Sequence, residues 1–148
     1  MYKVTKTYCH NLGLSASFRQ WRAKSHCRFI HGYALEIRLT IVATELDENN
    51  WVFDFGGLKD IKRQLIDLFD HKTLVAEDDP QKTIFKELEV VGLIQYIEVP
   101  NVGCEGFAKY IYDLVCPRIK ELRKNNAELE SVEVREHQGN SAIYKGEK

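Results

Sequence analysis

Between Tyr33 and Thr44 apolar and polar residues change places at nearly every step. Leu35, Ile37, Leu39 and Ile41 share one side, and Ala34, Glu36, Arg38 and Thr40 share the other. A period of two with one apolar face describes a half-buried β-strand, and a solvated second face suits an antiparallel sheet. The run from Tyr2 to Phe18 holds two further strand-like stretches, with Leu12, Leu14, Ala16 and Phe18 on one face. The period then changes. Leu58, Ile61, Leu65 and Leu68 recur at three- and four-residue spacing, which predicts an amphipathic helix ending near Phe69. A second helix is predicted over Gly106 to Leu122, burying Phe107, Tyr110, Ile111, Leu114 and Val115, with Pro117 kinking or ending it.

The remaining signals are shorter. Glu45 to Asn50 reads as a turn and Trp51 to Phe55 as a short strand, after which Asp54 and Gly56-Gly57 lead into the first helix. Pro80 to Leu88 reads as a short surface helix. Leu93 to Val99 is a strand stopped by Pro100, and Val132 to Glu136 with Ser141 to Tyr144 closes the chain as strand and turn. The order predicts an α+β domain: a four-stranded, mostly antiparallel sheet with two helices on one face. Its open edges would gain from side-by-side assembly into a closed barrel.

No repeat, low-complexity tract or linker divides the 148 residues, so they are read as one domain, 1–148. Lys+Arg of 21 against Asp+Glu of 22 argues against a general nucleic-acid or membrane-surface binder. No apolar run reaches the roughly 18 residues of a membrane span, and MYKVTKTYCHNLG does not read as a signal peptide, so a cytoplasmic location is expected. The four cysteines form no CxxC pair and are expected as reduced thiols.

Reactive groups concentrate between Phe18 and Tyr33. Cys27 adjoins His26, His31 follows four residues later, and Arg19, Arg22, Lys24 and Arg28 surround them. Nearby cations favour a thiolate, fit for nucleophile or base, and they also suit an anionic substrate such as a phosphate. A solvated basic loop with an incidental thiol has the same composition, and residue types alone favour that plainer reading. Asp70-His71, just after the first helix, pairs a carboxylate with an imidazole, as proton transfer requires, though histidine also suits a helix C-terminus. Glu105 is at the start of the second helix and Glu136 in the last strand, where a first-turn carboxylate and an exposed strand charge are the plain alternatives.

Taken in order, these segments resemble the 6-pyruvoyl-tetrahydropterin synthase and 6-carboxytetrahydropterin synthase family along nearly the whole chain. The family's Cys, three residues, then His-Gly-His is similar to Cys27-Arg-Phe-Ile-His31-Gly-Tyr33. Trp51-Val-Phe-Asp54-Phe-Gly-Gly-Leu-Lys59 resembles its strand-plus-helix signature, and Phe69-Asp70-His71 its Leu-Asp-His. Asn101-Val-Gly-Cys-Glu105 stands where the family has Asn-Pro-Thr-x-Glu, and Val134-Arg-Glu136-His followed by Ile143-Tyr144 resembles its terminal strands. The resemblance implies a tunnelling fold (T-fold) in which trimers close a barrel, two trimers stack into a hexamer, and active sites lie between subunits. It implies a proton-transfer group carried onto Cys27, Asp70 and His71, with Glu136 gripping the pterin's amidine edge and Glu105 contributing to the substrate site. The implied reaction is that of a lyase acting on dihydroneopterin triphosphate on the route to 7-deazapurine nucleosides such as queuosine. Arg22 and Arg28 are the candidates for triphosphate contacts. Related pterin chemistry, or a pterin binder without turnover, is the alternative.

The resemblance also implies zinc, held by a histidine ending the first strand and by both histidines of His-Gly-His, to polarise side-chain oxygens of the substrate. Only His31 is kept; Tyr33 replaces one ligand. For the first position, one register offers Phe18 and another offers His10. These are about 26 Å apart on an extended strand, so the registers exclude one another. His26 or the Cys27 thiolate is a further replacement ligand. Val102-Gly103 in place of Pro-Thr also removes a hydroxyl from the substrate region.

Overall fold

In the computed structural model, which describes residues 1–147, the alternating stretch forms a strand of 13 residues around which everything else is arranged. The strands are β1 (Tyr2–Tyr8), β2 (Leu14–Phe18), β3 (His31–Ala43), β4 (Lys72–Ala76), β5 (Tyr96–Val99), β6 (Glu128–His137) and β7 (Asn140–Lys145). The helices are α1 (Lys59–Phe69), α2 (Lys82–Val90) and α3 (Cys104–Leu122). The sheet runs β5-β4-β2-β3-β6-β7, with β1 also on β3.

β1 and β2 share one edge of β3. Tyr8 pairs with Ile37 and Leu14 with Leu35, so Cys9 to Gly13 loop out opposite Glu36. The loop is a short 3-10 turn, His10–Leu12, closed by Gly13 at φ 75°, a left-handed conformation that glycine adopts without a Cβ clash. β6 takes the other edge of β3, bringing Val132 opposite Leu39 and Val134 opposite Ile37. Leu35, Ile37, Leu39 and Ile41 are fully buried in one core with Ile61, Leu65 and Phe69 of α1 and Phe107, Ile111 and Val115 of α3. The other face of β3 carries Glu36 and Arg38 in ion pairs with β6.

The α+β class stands, and the sheet differs from expectation. It has seven strands rather than four and is mixed, because β4 pairs parallel to both β2 and β5. β4 was hidden in the sequence: a strand between parallel neighbours is covered on both faces and reads as a continuous apolar run rather than an alternation. Thr73, Leu74, Val75 and Ala76 are all buried. Trp51 to Phe55 is not a strand; Val52 and Phe53 are buried anchors ahead of a 3-10 turn, Phe55–Leu58, whose first amide region is capped by the Asp54 carboxylate at 2.8 Å from the Gly56 nitrogen. α3 begins at Cys104 and runs through Pro117 to Leu122, so the proline withholds one helical hydrogen bond without ending the helix. Leu114, expected inside, is 37% exposed. The strand before Pro100 shrinks to β5, and the chain closes as a true hairpin, β6–β7. Among the described residues no helix is long and apolar enough to cross a membrane.

Candidate functional site

The loop between β2 and β3 is pinned before it delivers its chemistry. Arg19 donates two hydrogen bonds to Asp79, at 2.8 and 2.7 Å, and Asp79 is buried. Burial raises the Asp79 pKa, but the Arg19 hydrogen bonds, the Gln81 amide and the Arg19 charge outweigh it and hold the carboxyl below its ordinary value. Trp21 and Arg22 both bond Asp78, and the Gln20 amide donates to the Cys27 carbonyl at 2.9 Å. A bidentate arginine–carboxylate clamp fixes direction as well as distance. The thiol of Cys27, partly exposed, is thereby set at the mouth of a cavity.

That cavity, about 440 Å³, has walls from β2, β3, the start of α3 and the β6–β7 turn. Cys27, His31, Tyr33, Cys104, Glu105 and Glu136 line it. Its volume falls in the range of small-molecule sites, roughly 300–1,000 Å³. Glu136 falls at a register break between Arg135 and His137, a bulge that re-aims a strand side chain, and accepts a hydrogen bond from the Asn140 side chain at 2.9 Å. Burial, with the charges of Glu136 and Glu105, pushes the Cys104 thiol up to about 11, so it is a neutral wall. Burial, then the charges of Glu136, Cys27 and Cys104, also raises the Tyr33 phenol and keeps it protonated. Among the described residues no Lys or Arg lines the cavity. Two glycines allow it: a Cβ at Gly32 would overlap the Ala16 carbonyl, and Gly103, at φ 94°, begins α3 against the Gln20 side chain. A larger groove, about 660 Å³ beside Trp51 and Phe55, carries no cysteine, histidine or glutamate.

The cavity floor holds three rings. Phe18 pairs directly across from His31, with ring centres 5.1 Å apart; His31 and Tyr33 are 5.6 Å apart and perpendicular; Phe18 and Tyr33 are 6.2 Å apart. Phe18 is buried and stacks edge-on against Phe107, so it is an outpost of the core. The His31 Nδ1 donates to the Phe29 carbonyl at 2.7 Å, leaving Nε2 free. His10 lies elsewhere: its Nδ1 meets the Ala34 carbonyl at 2.5 Å and its Nε2 is 3.9 Å from Glu36, on the face of β3 opposite the core. His26 is exposed and lines no part of the cavity. The three-ring cluster therefore supplies one imidazole, one phenol and one phenyl. That donor set does not fit a zinc centre of three nitrogen ligands. Among the described residues no three His, Cys, Asp or Glu side chains gather closely enough to hold a metal ion.

His71, next to Asp70 in the chain, lines a second hollow together with Ser15, Gly32 and Lys72. Tyr33 lines both hollows. The His71 Nδ1 is 2.8 Å from Asp70 Oδ1, and its backbone amide donates to the Ser15 carbonyl at 2.7 Å. His71 has φ 57°, a left-handed conformation that costs a side-chain-bearing residue about 1–2 kcal/mol and that clusters at functional sites. In one chain, then, Cys27, His31, Glu105 and Glu136 come together, and Asp70–His71 stay apart from them. Arg22 pairs with Asp78 at 2.8 Å, and Arg28 bonds the Lys24 and Ser25 carbonyls; neither lines the cavity with Cys27. Gln20, Cys104 and Asn140 in the cavity wall, and the Arg19–Asp79 clamp, escaped sequence reasoning. No local pattern marks a residue whose role depends on partners 60 or more positions away.

Comparison with known proteins follows this geometry. A family model described as 6-pyruvoyl tetrahydropterin synthase matches residues 9–147. The chain is 32% identical over 98 residues to a 6-carboxy-5,6,7,8-tetrahydropterin synthase of Rickettsia typhi, covering 65% of this chain and 70% of the relative. It is 27% identical over 123 residues to the Aquifex aeolicus protein of that name, covering 82% and 74%. Among solved structures, a Wolinella succinogenes protein described as uncharacterized superposes with TM-score 0.84 at 20% identity over 99% of this chain and 98% of that one. The Plasmodium falciparum 6-pyruvoyl tetrahydropterin synthase does so with TM-score 0.65 at 15% identity, covering 97% and 96%. The last two are likenesses of fold.

Proposed function

The chain belongs to the 6-pyruvoyl tetrahydropterin synthase family, an enzyme family with the tunnelling fold, and from that premise we propose a pterin lyase of the 6-carboxytetrahydropterin synthase type. Its substrate in this reading is 7,8-dihydroneopterin triphosphate, and its product feeds 7-deazapurine nucleosides such as queuosine. The observation that carries the proposal is the single cavity gathering Cys27, His31, Glu105 and Glu136. The Glu136 carboxylate accepts paired hydrogen bonds from the amino group and adjacent ring N–H of a pterin. Cys27 Sγ takes a proton from the ligand's side chain. His71, its Nδ1 turned to Asp70, has Nε2 free to exchange a proton on the other side of the reacting carbon.

Because His71 and Cys27 line different hollows, a complete site in this reading takes residues from two copies. Trimers closing a barrel, stacked as a cytoplasmic hexamer, would supply that juxtaposition, and the Arg22–Arg28 loop of a neighbour is the candidate for triphosphate contacts. A second reading, a pterin binder without turnover, is favoured by Phe18 and Tyr33 standing where ligand histidines are expected. Purified protein incubated with 7,8-dihydroneopterin triphosphate, with products separated by chromatography, decides between them. Turnover that disappears in Cys27→Ala while pterin binding persists is expected. Binding without turnover leaves the second reading, and failure to bind any pterin sinks both.

A further inference from the structure

We infer that Tyr33 and His31 form a metal-independent clamp for a hydroxyl group on the ligand's side chain. The inference rests on the reading that a pterin occupies the cavity, and it concerns which pterins are accepted.

The hydrogen-bonding inventory of the floor is narrow. His31 spends Nδ1–H on the Phe29 carbonyl, so in its neutral form Nε2 offers only a lone pair. Tyr33 offers an O–H to give, and its ring stands perpendicular to the imidazole at 5.6 Å. An acceptor beside a donor is satisfied by a group that both gives and takes one hydrogen bond, which a hydroxyl does. A carboxylate or phosphate would face the lone pair of Nε2 and two wall carboxylates, Glu105 and Glu136, with no Lys or Arg among the described lining residues to offset them. Such an anion is disfavoured at this spot. A metal ion finds a single imidazole on the floor, where Phe18 supplies no donor atom and Tyr33 stays a neutral phenol. Phe18 instead fixes the pair from beneath, its ring locked between His31 and Phe107.

The test compares two ligands of the same ring oxidation state, 7,8-dihydroneopterin, which carries side-chain hydroxyls, and unsubstituted 7,8-dihydropterin, by quenching of protein fluorescence with and without EDTA. Wild type is expected to prefer the hydroxylated ligand. Tyr33→Phe is expected to weaken that ligand by about three- to tenfold, the worth of one hydrogen bond, and to leave the unsubstituted pterin unchanged. EDTA is expected to change neither, and as-purified protein to carry far less than one zinc per chain. Equal wild-type affinities for the two ligands overturn the clamp, and so does a Tyr33→Phe protein, folded by its melting curve, that binds both as wild type does. Stoichiometric zinc that disappears with His31→Ala, together with lost affinity in EDTA, overturns metal independence. Should Tyr33→Phe not fold, the ligand preference and zinc content of wild type still decide. If neither pterin binds, it is the pterin reading that fails.

Discussion

Tyr33 separates two hollows that differ in their reactive groups and in how open they are. The one holding Cys27, His31 and Glu136 is walled on several sides by strand, loop and helix, with Gln20 bonded across to Val102 and Glu136 held by Asn140 of the adjoining hairpin turn. The one lined by His71, about 540 Å³, is more open, with the His71 side chain 78% exposed. The left-handed backbone at His71 is held to β2 by the bond from its amide to the Ser15 carbonyl. The first can hold a small molecule but carries a single imidazole. The second carries an imidazole oriented by the neighbouring Asp70 carboxylate. One chain therefore sets the Cys27 thiol and the His71 imidazole in separate hollows.

The sharpest way to break this comparison is to disable each hollow in turn. Cys27→Ala and His71→Ala are each expected to lower kcat by about 10²- to 10⁴-fold, the range for losing a positioned acid or base. If the hollows meet across an interface, mixing the two inactive proteins under dissociating conditions and reassembling them restores part of the rate. Initial rates of the mixture that stay at the level of the separate variants break the two-copy reading.

A smaller effect is expected at the binding end. Glu136→Gln keeps the shape but replaces charge-assisted acceptors with neutral ones, and pterin affinity should fall by about 10- to 100-fold. His71→Ala should leave the same affinity nearly untouched when measured by calorimetry. Equal losses in the two variants would mean that binding is not confined to the first hollow.

The smallest effect concerns stability. Replacing His71 with glycine removes the cost of its left-handed backbone, so His71→Gly should raise unfolding free energy by about 1 kcal/mol relative to His71→Ala. Thermal and urea unfolding would measure it. No gain would show that the conformation is not strained and that the second hollow is no weaker locally than the first.

Legibility in the sequence follows how far each signal reaches. The core strand β3 and helices α1 and α3 were readable because their periods of two and 3.6 repeat over ten or more residues, whereas the closing hairpin was legible only as a strand and a turn. β4 was not, since Lys72–Ala76 is too short and too evenly apolar to show a period. Trp51 to Phe55 misled because its run of β-prone apolar residues reflects Val52 and Phe53 anchoring a coil in the core rather than a sheet.

The same division holds for the site. Sequence alone determined which reactive residues the chain possesses and that Tyr33 interrupts a histidine pattern, because chain order preserves residue identity. Tertiary structure alone decided whether Phe18 or His10 stands beside His31. The loop from Cys9 to Gly13 shifts β2 along β3, bringing Phe18 opposite His31 and leaving His10 on the other face. Strand register is fixed by cross-strand hydrogen bonds and by the burial of Leu14, Ala16 and Phe18 in the core, forces that act between residues distant in sequence. Tyr33 thus interrupts the pattern in a definite place: it stands beside a lone imidazole, over a buried phenyl ring, at the wall between two hollows.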